Sequence, residues 1–348
     1  MPKVFFSSSI KPESVVSLLD AIPVEKFIFP DDFCAIKIHF GEKGNTGYVK
    51  PEFVRPIVKK LNSIKAKLFL TDANTIYAGV RANAIDHIKV AVEHGFSLQK
   101  LGCPVIIADG LRGNSGVEVE INQKHFKSVK IANAIYYSDS FVFVTHFKGH
   151  EITGFGGALK NIGMGCATRA GKYEMHNSVV LEIRIENCKS CGICVRWCPT
   201  GALSLPDKNS KIIYNKEKCI GCGECIISCK YDVFKIPWSD STKDVQEKIV
   251  EYCFGVLKNK RAIYINFLNF ITKYCDCYST KEGPLIEDIG IVVSSDPVAV
   301  DKASVDLVNK KYGRDFFKEI WPEIDWSVQL EYAEKLGLGS RNYELVEI

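Results

Sequence analysis

Eight of the 14 cysteines in this 348-residue chain lie between Cys188 and Cys229, in two runs of identical spacing. The first reads Cys188-Lys-Ser-Cys191-Gly-Ile-Cys194-Val-Arg-Trp-Cys198-Pro199, and the second Cys219-Ile-Gly-Cys222-Gly-Glu-Cys225-Ile-Ile-Ser-Cys229. Disulfide frameworks are spread through small secreted chains, so thiols concentrated in one stretch of a large chain argue for metal. Zinc sites pair two C-x2-C hooks across a spacer, which a doubled run of closely spaced cysteines fits badly. Gly192, Gly221 and Gly223 permit the tight backbone that turns amides toward sulfur.

The segment resembles the two-cluster [4Fe–4S] domain of bacterial ferredoxins, whose C-x2-C-x2-C-x3-C runs each lend their fourth cysteine to the other cluster. The resemblance implies one cluster on Cys188, Cys191, Cys194 and Cys229, and a second on Cys219, Cys222, Cys225 and Cys198. Pro199 follows the first run as in that family, whereas Lys230 stands where a second proline is expected. From Glu182 to Lys235 there are nine Lys/Arg and six Asp/Glu, a net +3. Two oxidised clusters with their thiolates contribute about −4, so the loaded module is nearly neutral.

The module needs residues 179–238, leaving long flanks on either side. At 46% hydrophobic and 25% charged, the chain has globular composition. Apolar runs at Cys34–Phe40, Lys67–Thr71, Pro104–Ala108 and Ser140–Phe147 read as strands. Between them lie helical stripes: Phe53, Ile57, Val58 and Leu61, opened by Pro51, and Ala82, Ile85, Ile88 and Val92, closed by Gly95. After the module, Ser241 opens a helix with Val245, Ile249, Cys253 and Val256 facing inward. Strands at Ala262–Phe267 and Ile289–Val293 follow, then a helix opened by Asp296-Pro297 with Val300, Ala303 and Leu307 inward. Strand–helix alternation predicts an α/β fold: a mainly parallel sheet in a discontinuous host domain, 1–178 plus 239–348, interrupted by a ferredoxin-type α+β module at 179–238.

Polar residues gather where these strands stop: His39 and Glu42, Asp72 and Asn74, Asp109, then His146 and His150. In an open parallel sheet the carboxyl ends of the strands form the ligand crevice, so these positions are candidates to converge. Each alone also fits a cap or a satisfied strand-end residue. The glycine-rich stretch from Gly154 to Lys172, with Lys160 and Arg169, reads either as an anion-binding loop or as a glycine turn with solvated cations. His39, Asp72, His146, His150 and Lys160 are the candidate catalytic groups, with a further metal ion or an anionic ligand expected among them. Cys275-Asp276-Cys277, if extended, puts both sulfurs on one face, suited to grip one metal or to react together.

The whole chain resembles an uncharacterised family of iron–sulfur proteins, a domain of unknown function (family 362) with an inserted ferredoxin. The likeness rests on the His39 strand end, Phe147-Lys-Gly-His150, Lys160-Asn-Ile-Gly-Met-Gly-Cys166, Cys275-Asp-Cys277 and Ile289-Gly-Ile to Asp296-Pro-Val-Ala-Val-Asp301. Electron transfer to a substrate or metal site in the host domain is the first functional expectation. A bare electron carrier or redox sensor and a metal-handling or maturation protein are the alternatives. The partner is a redox protein or a small anionic substrate. A net charge of +4 offers no argument for nucleic acid. No apolar run reaches the roughly 18 residues of a membrane span, and a cytoplasmic location is expected.

Overall fold

A computed structural model of the chain describes residues 1–177, 181–236, 238, 240–278 and 283–348. The expected module boundaries at 178/179 and at 239 lie outside the described residues. Eight strands form the main sheet: β1 (Lys3–Ser7), β2 (Phe33–Ile38), β3 (Lys67–Asp72), β4 (Val105–Ile107), β5 (Ser140–His146), β6 (Arg261–Leu268), β7 (Gly290–Ser294) and β8 (Glu344–Glu347). Their order is β8-β1-β7-β6-β5-β2-β3-β4. All neighbours pair parallel except β7, which runs antiparallel to both β1 and β6. The mainly parallel α/β sheet expected from the strand–helix alternation is present, with β1 and β8 as edge-side strands the apolar pattern did not announce.

Strand residues alternate faces, and here both faces are buried, so β5 is apolar throughout. Phe141 and Phe143 join Tyr264 and Val292 in one core, and Val142 and Val144 join Ile36, Ile263 and Val293 in the other. Helices α1 (Pro12–Ala21), α2 (Pro51–Ser63) and α3 (Ala84–Glu93) cover the second face. Helices α4 (Ala158–Gly163), α5 (Arg169–His176), α6 (Thr242–Leu257) and α7 (Pro297–Tyr312) lie in the first half of the molecule's core, on the other face. Two helix starts follow directly from sequence: Ser241 accepts from the Asp244 amide, and Asp296 accepts from Val298 and Ala299 ahead of Pro297 at N1.

Three local expectations are corrected. The stripe Ala82, Ile85, Ile88, Val92 is not the inward face of α3: Ile85 and Val92 are 55% and 49% exposed, while His87, Val90 and Ala91 are buried. The reason is tertiary, because His87 packs edge-on against Phe40 and points its Nε2 at Asp72, 3.5 Å away. The glycine-rich stretch is not an open loop but the short strand Gly154–Gly156 followed by α4 and α5, and its glycines serve close packing. A Cβ on Gly163 would lie 2.2 Å from the Ile249 carbonyl, and one on Gly157 2.3 Å from Asp301. Cys275-Asp-Cys277 is a turn closed by the Tyr278 amide on the Cys275 carbonyl, rather than an extended pair.

Between the two halves of the sheet the chain builds a small α+β unit. Glu182–Ile183 pairs antiparallel with Phe234–Lys235, and Leu203–Ser204 with Ile213–Tyr214, with one-turn helices at Ile193–Arg196 and Glu224–Ser228. Leu203, Ile212, Val233 and Phe234 form its core together with Cys188 and Cys194.

Candidate active site

From β2 the chain steps outward to β3 and β4, then returns to place β5 on the opposite side of β2 and continues through β6. The direction of winding therefore reverses between β2 and β5, and such a reversal opens a crevice at the carboxyl ends of the strands. His39 follows β2, Asp72 ends β3, His146 ends β5 and the Cys275–Cys277 turn follows β6. A cavity of about 730 Å³ occupies this place, lined by His39, Asp72, His146, His150, Lys160, Cys275 and Cys277 among others. All five candidate catalytic residues and the cysteine pair are thus brought together. Asp109 and Asn74 are not: Asp109 accepts from the Asn74 amide and side chain, a closed buried pair that ties β4 to β3.

The two sulfurs lie 3.4 Å apart. His39 Nδ1 accepts from the Gly41 amide, so the ring proton sits on Nε2, which faces Cys277 Sγ at 3.5 Å. Tyr77 lines the same cavity and accepts at 2.8 Å from Arg81, whose other nitrogen donates to Glu42 at 3.0 Å. Hydrogen bonding from Cys275, with Arg81 and Lys160 nearby, holds the Cys277 thiol well below its ordinary range against the opposing effect of burial. The Cys275 thiol moves the other way, pushed up to about 12 by its bond to Cys277 and by burial.

Cations outnumber anions around the cavity. Lys160 Nζ lies 3.8 Å from Cys275 Sγ; burial works against its charge, and the two sulfurs nonetheless keep it above the ordinary lysine value. Burial, with Lys160 close by, lowers His176 to about 3 and holds His150 well below the usual imidazole range. His150 Nδ1 accepts from the Ile152 and Thr153 amides, and the buried Nδ1 of His176 finds no hydrogen-bond partner among the described residues. His146 differs: Nδ1 bonds Asp276 at 2.9 Å and Nε2 faces the Asn269 carbonyl at 2.9 Å, so both nitrogens are occupied internally. Asp276 also pairs with Lys148 at 3.1 Å. Asp72 takes Lys37 at 2.9 Å and Arg81 at 3.6 Å, and lies well below the usual carboxylate range: burial opposes this, and Lys37 and His87 outweigh it. Gly149 lets the Phe147–His150 stretch lie against the turn: its amide donates to Thr272, and a Cβ there would sit 2.4 Å from the Lys273 carbonyl.

In the cysteine-rich unit, Cys198, Cys219, Cys222 and Cys225 line one small cavity together with Tyr173 of α5. Cys188 and Cys194 lie in the core of the unit, and Cys198, Cys225 and Cys229 pack against it. Gly192 and Gly223 adopt φ of +72° and +71° at the starts of the two one-turn helices, a backbone only glycine enters freely. Eight thiols within one small unit, with left-handed glycines in each run, suit the donor set of iron–sulfur cubanes. Helix α5 spans the space between the two sites: Tyr173 lines the cysteine cavity, while Lys172 and His176 line the crevice.

Residues 34–306 match the family model described as a domain of unknown function, DUF362. The chain belongs to that family. Curated relatives of this DUF362 chain are iron–sulfur proteins matched over short stretches. It is 48% identical over 44 residues to the aliphatic sulfonate oxidoreductase polyferredoxin-like subunit of Pyrococcus furiosus, covering 13% of this chain and 25% of the relative. It is 28% identical over 75 residues to the formate dehydrogenase-O iron-sulfur subunit of Escherichia coli, covering 21% and 25%. The chain thus spans about a quarter of the length of these relatives. Among solved structures, the lactate racemase apoprotein from Thermoanaerobacterium thermosaccharolyticum superposes with a TM-score of 0.44 at 11% identity, covering 88% of this chain and 57% of that one.

Several residues of the DUF362 crevice carried no signal in the sequence. Tyr77 and Arg81 sit in an irregular segment with no periodicity, and Asp276 was visible only as the residue between two cysteines. Arg169, grouped by sequence with the anion-binding cations, turns instead into the body of the protein, donating to Thr75 and Ala82 carbonyls and to Glu224.

Proposed function

We propose that this chain is an iron–sulfur electron-transfer protein, an oxidoreductase that passes electrons from two [4Fe–4S] clusters to a small anionic substrate in the strand-end crevice. The observation that carries the reading is α5, one helix whose Tyr173 borders the cysteine cavity and whose Lys172 and His176 border the crevice. Cys188, Cys191, Cys194 and Cys229 would hold one cluster and Cys198, Cys219, Cys222 and Cys225 the other, in residues 179–238 set into a host of 1–178 plus 239–348. The clusters supply one electron each at a protein-tuned potential. The similarity to iron–sulfur subunits of larger oxidoreductases supports a redox partner protein as the electron source.

In the crevice, Lys160, His150 and His176 bind and orient the anion, and a neutral His150, its Nδ1 taken by backbone amides, carries its proton on Nε2 and can donate a hydrogen bond from there. His146 and Asp72 act as positioning residues, the first through Asp276 and Lys148, the second through Lys37 and Arg81. The low-lying Asp72 and Asp276 keep these cations charged in a site with little water.

Anaerobic reconstitution followed by iron, sulfide and paramagnetic resonance measurements tests the first half. Rapid mixing of reduced protein with formate, lactate, methanesulfonate and inorganic phosphate, scored by calorimetric binding and by cluster reoxidation, tests the second. Binding of at least one anion, weakened at least tenfold in Lys160→Met, is expected. Zinc in place of iron, or a crevice that binds none of these anions, overturns the proposal.

A further inference from the structure

Cys275 and Cys277 lie at the floor of the crevice with sulfurs 3.4 Å apart. We infer that they form a reversible dithiol–disulfide couple, with Cys277 as the reactive sulfur, that stores at the substrate site two electrons delivered one at a time; the delivery rests on the electron-transfer reading above. Two geometric facts point there. Cys277 Sγ faces the protonated Nε2 of His39 and receives the Cys275 thiol, so two donors converge on one sulfur, with Tyr77 lining the same cavity. Such a set of donors stabilises a thiolate, the nucleophilic form.

Cys275 is placed differently. It is buried, its hydrogen points at Cys277, and Lys160 Nζ stands 3.8 Å behind it. One sulfur is therefore arranged as the anion and its neighbour as the proton carrier, an asymmetry that two equivalent metal ligands do not need.

The step balances without an unnamed reagent. The Cys275–Cys277 disulfide takes up two electrons and one proton, the S–S bond breaks, the proton resides on Cys275, and Cys277 leaves as thiolate. The reductant is a pair of one-electron iron–sulfur centres. Oxidation runs in reverse: the S–S bond re-forms, Cys275 loses its proton, and two electrons pass to an acceptor in the crevice.

The test uses the reconstituted full chain under anaerobic conditions. Treatment with cystamine, then denaturation in iodoacetamide and peptide mass analysis, is expected to yield the 275–277 peptide unalkylated and lighter by two hydrogens. Reductive titration of the same sample is expected to consume about four equivalents, against about two for the double variant Cys275→Ser/Cys277→Ser, since a disulfide takes two electrons and each cluster one. The mass measurement needs no variant, so a misfolded double variant leaves it decisive. Full alkylation of both cysteines after cystamine overturns the couple. So does a metal ion that blocks both sulfurs in the native protein with no loss of hydrogen. Should the disulfide form while the clusters fail to bleach, the couple stands and the electron-transfer reading falls.

Discussion

Arg169 Nη1 lies 2.8 Å from Glu224 Oε1, joining a helix of the α/β body to the loop between Cys222 and Cys225. Both side chains are buried. Arg112, stacked 3.4 Å over Trp197, reaches the other oxygen of the same carboxylate at 3.1 Å, and Asn114 donates to the Cys222 carbonyl. A Cβ on Gly223 would sit 3.0 Å from Arg169 Cδ, so the cysteine loop and the arginine are in direct contact. Removing one partner of a buried pair leaves a charge without compensation, at about 3–5 kcal/mol. Glu224→Ala is therefore expected to lower unfolding stability by that amount and to raise protease sensitivity around residues 219–229. Denaturant titration and limited proteolysis check this, and an unchanged midpoint contradicts it.

The proposed crossed ligation predicts that cysteine losses are non-additive. Cys198→Ser and Cys222→Ser each remove about half of the bound iron, and the double variant removes no more, since both serve one cluster. Cys198→Ser with Cys194→Ser removes nearly all of it. Iron analysis of the four proteins decides, and additive loss in the first pair contradicts the assignment.

The glycines of α4 and the preceding strand are not equivalent. Gly163→Ala would drive a methyl group to 2.2 Å from the Ile249 carbonyl, a backbone atom that cannot step aside, and is expected to cost about 1–3 kcal/mol. Gly156→Ala meets only the flexible Lys160 Cδ at 3.4 Å and is expected to change stability by no more than about 0.5 kcal/mol. Thermal melts of the two variants distinguish them.

Burial lowers Lys172 to about 8, with its ammonium donating to the Ala167 carbonyl at 2.8 Å. Between about pH 8 and the ordinary lysine value near 10.5, the unfolded chain holds a proton that the folded chain has released. Stability from this group therefore rises with pH across that window, by on the order of 3 kcal/mol when fully traversed. Below pH 8 the contribution is flat. Lys172→Met removes the rise, and unfolding free energies at pH 7.5 and 10 in both proteins measure it.

Cysteine spacing, strand–helix alternation and the helix caps at Ser241 and Asp296 were legible from residue order, because each depends on neighbours within a turn or two of chain. His39, Asp72, His146, His150 and Lys160 were legible as candidates for the same reason: four lie at or near the ends of apolar strands, and Lys160 in a glycine-rich run. What residue order could not supply was partnership. That Asn74 and Asp109 close on each other while Asp72 opens to the crevice, that α3 buries His87 rather than Ile85, and that Arg169 seeks Glu224 across 55 residues are decided by packing. Periodicity reports how apolar a face is, but burial of a polar group is set by whichever partner the fold brings within hydrogen-bond reach. The chain by itself determined two runs of four cysteines and a mainly parallel sheet with polar residues at its strand ends. Only the tertiary structure decided that β2 and β5 flank the reversal, that α5 spans from one site to the other, and that Cys277 faces His39, 238 positions away.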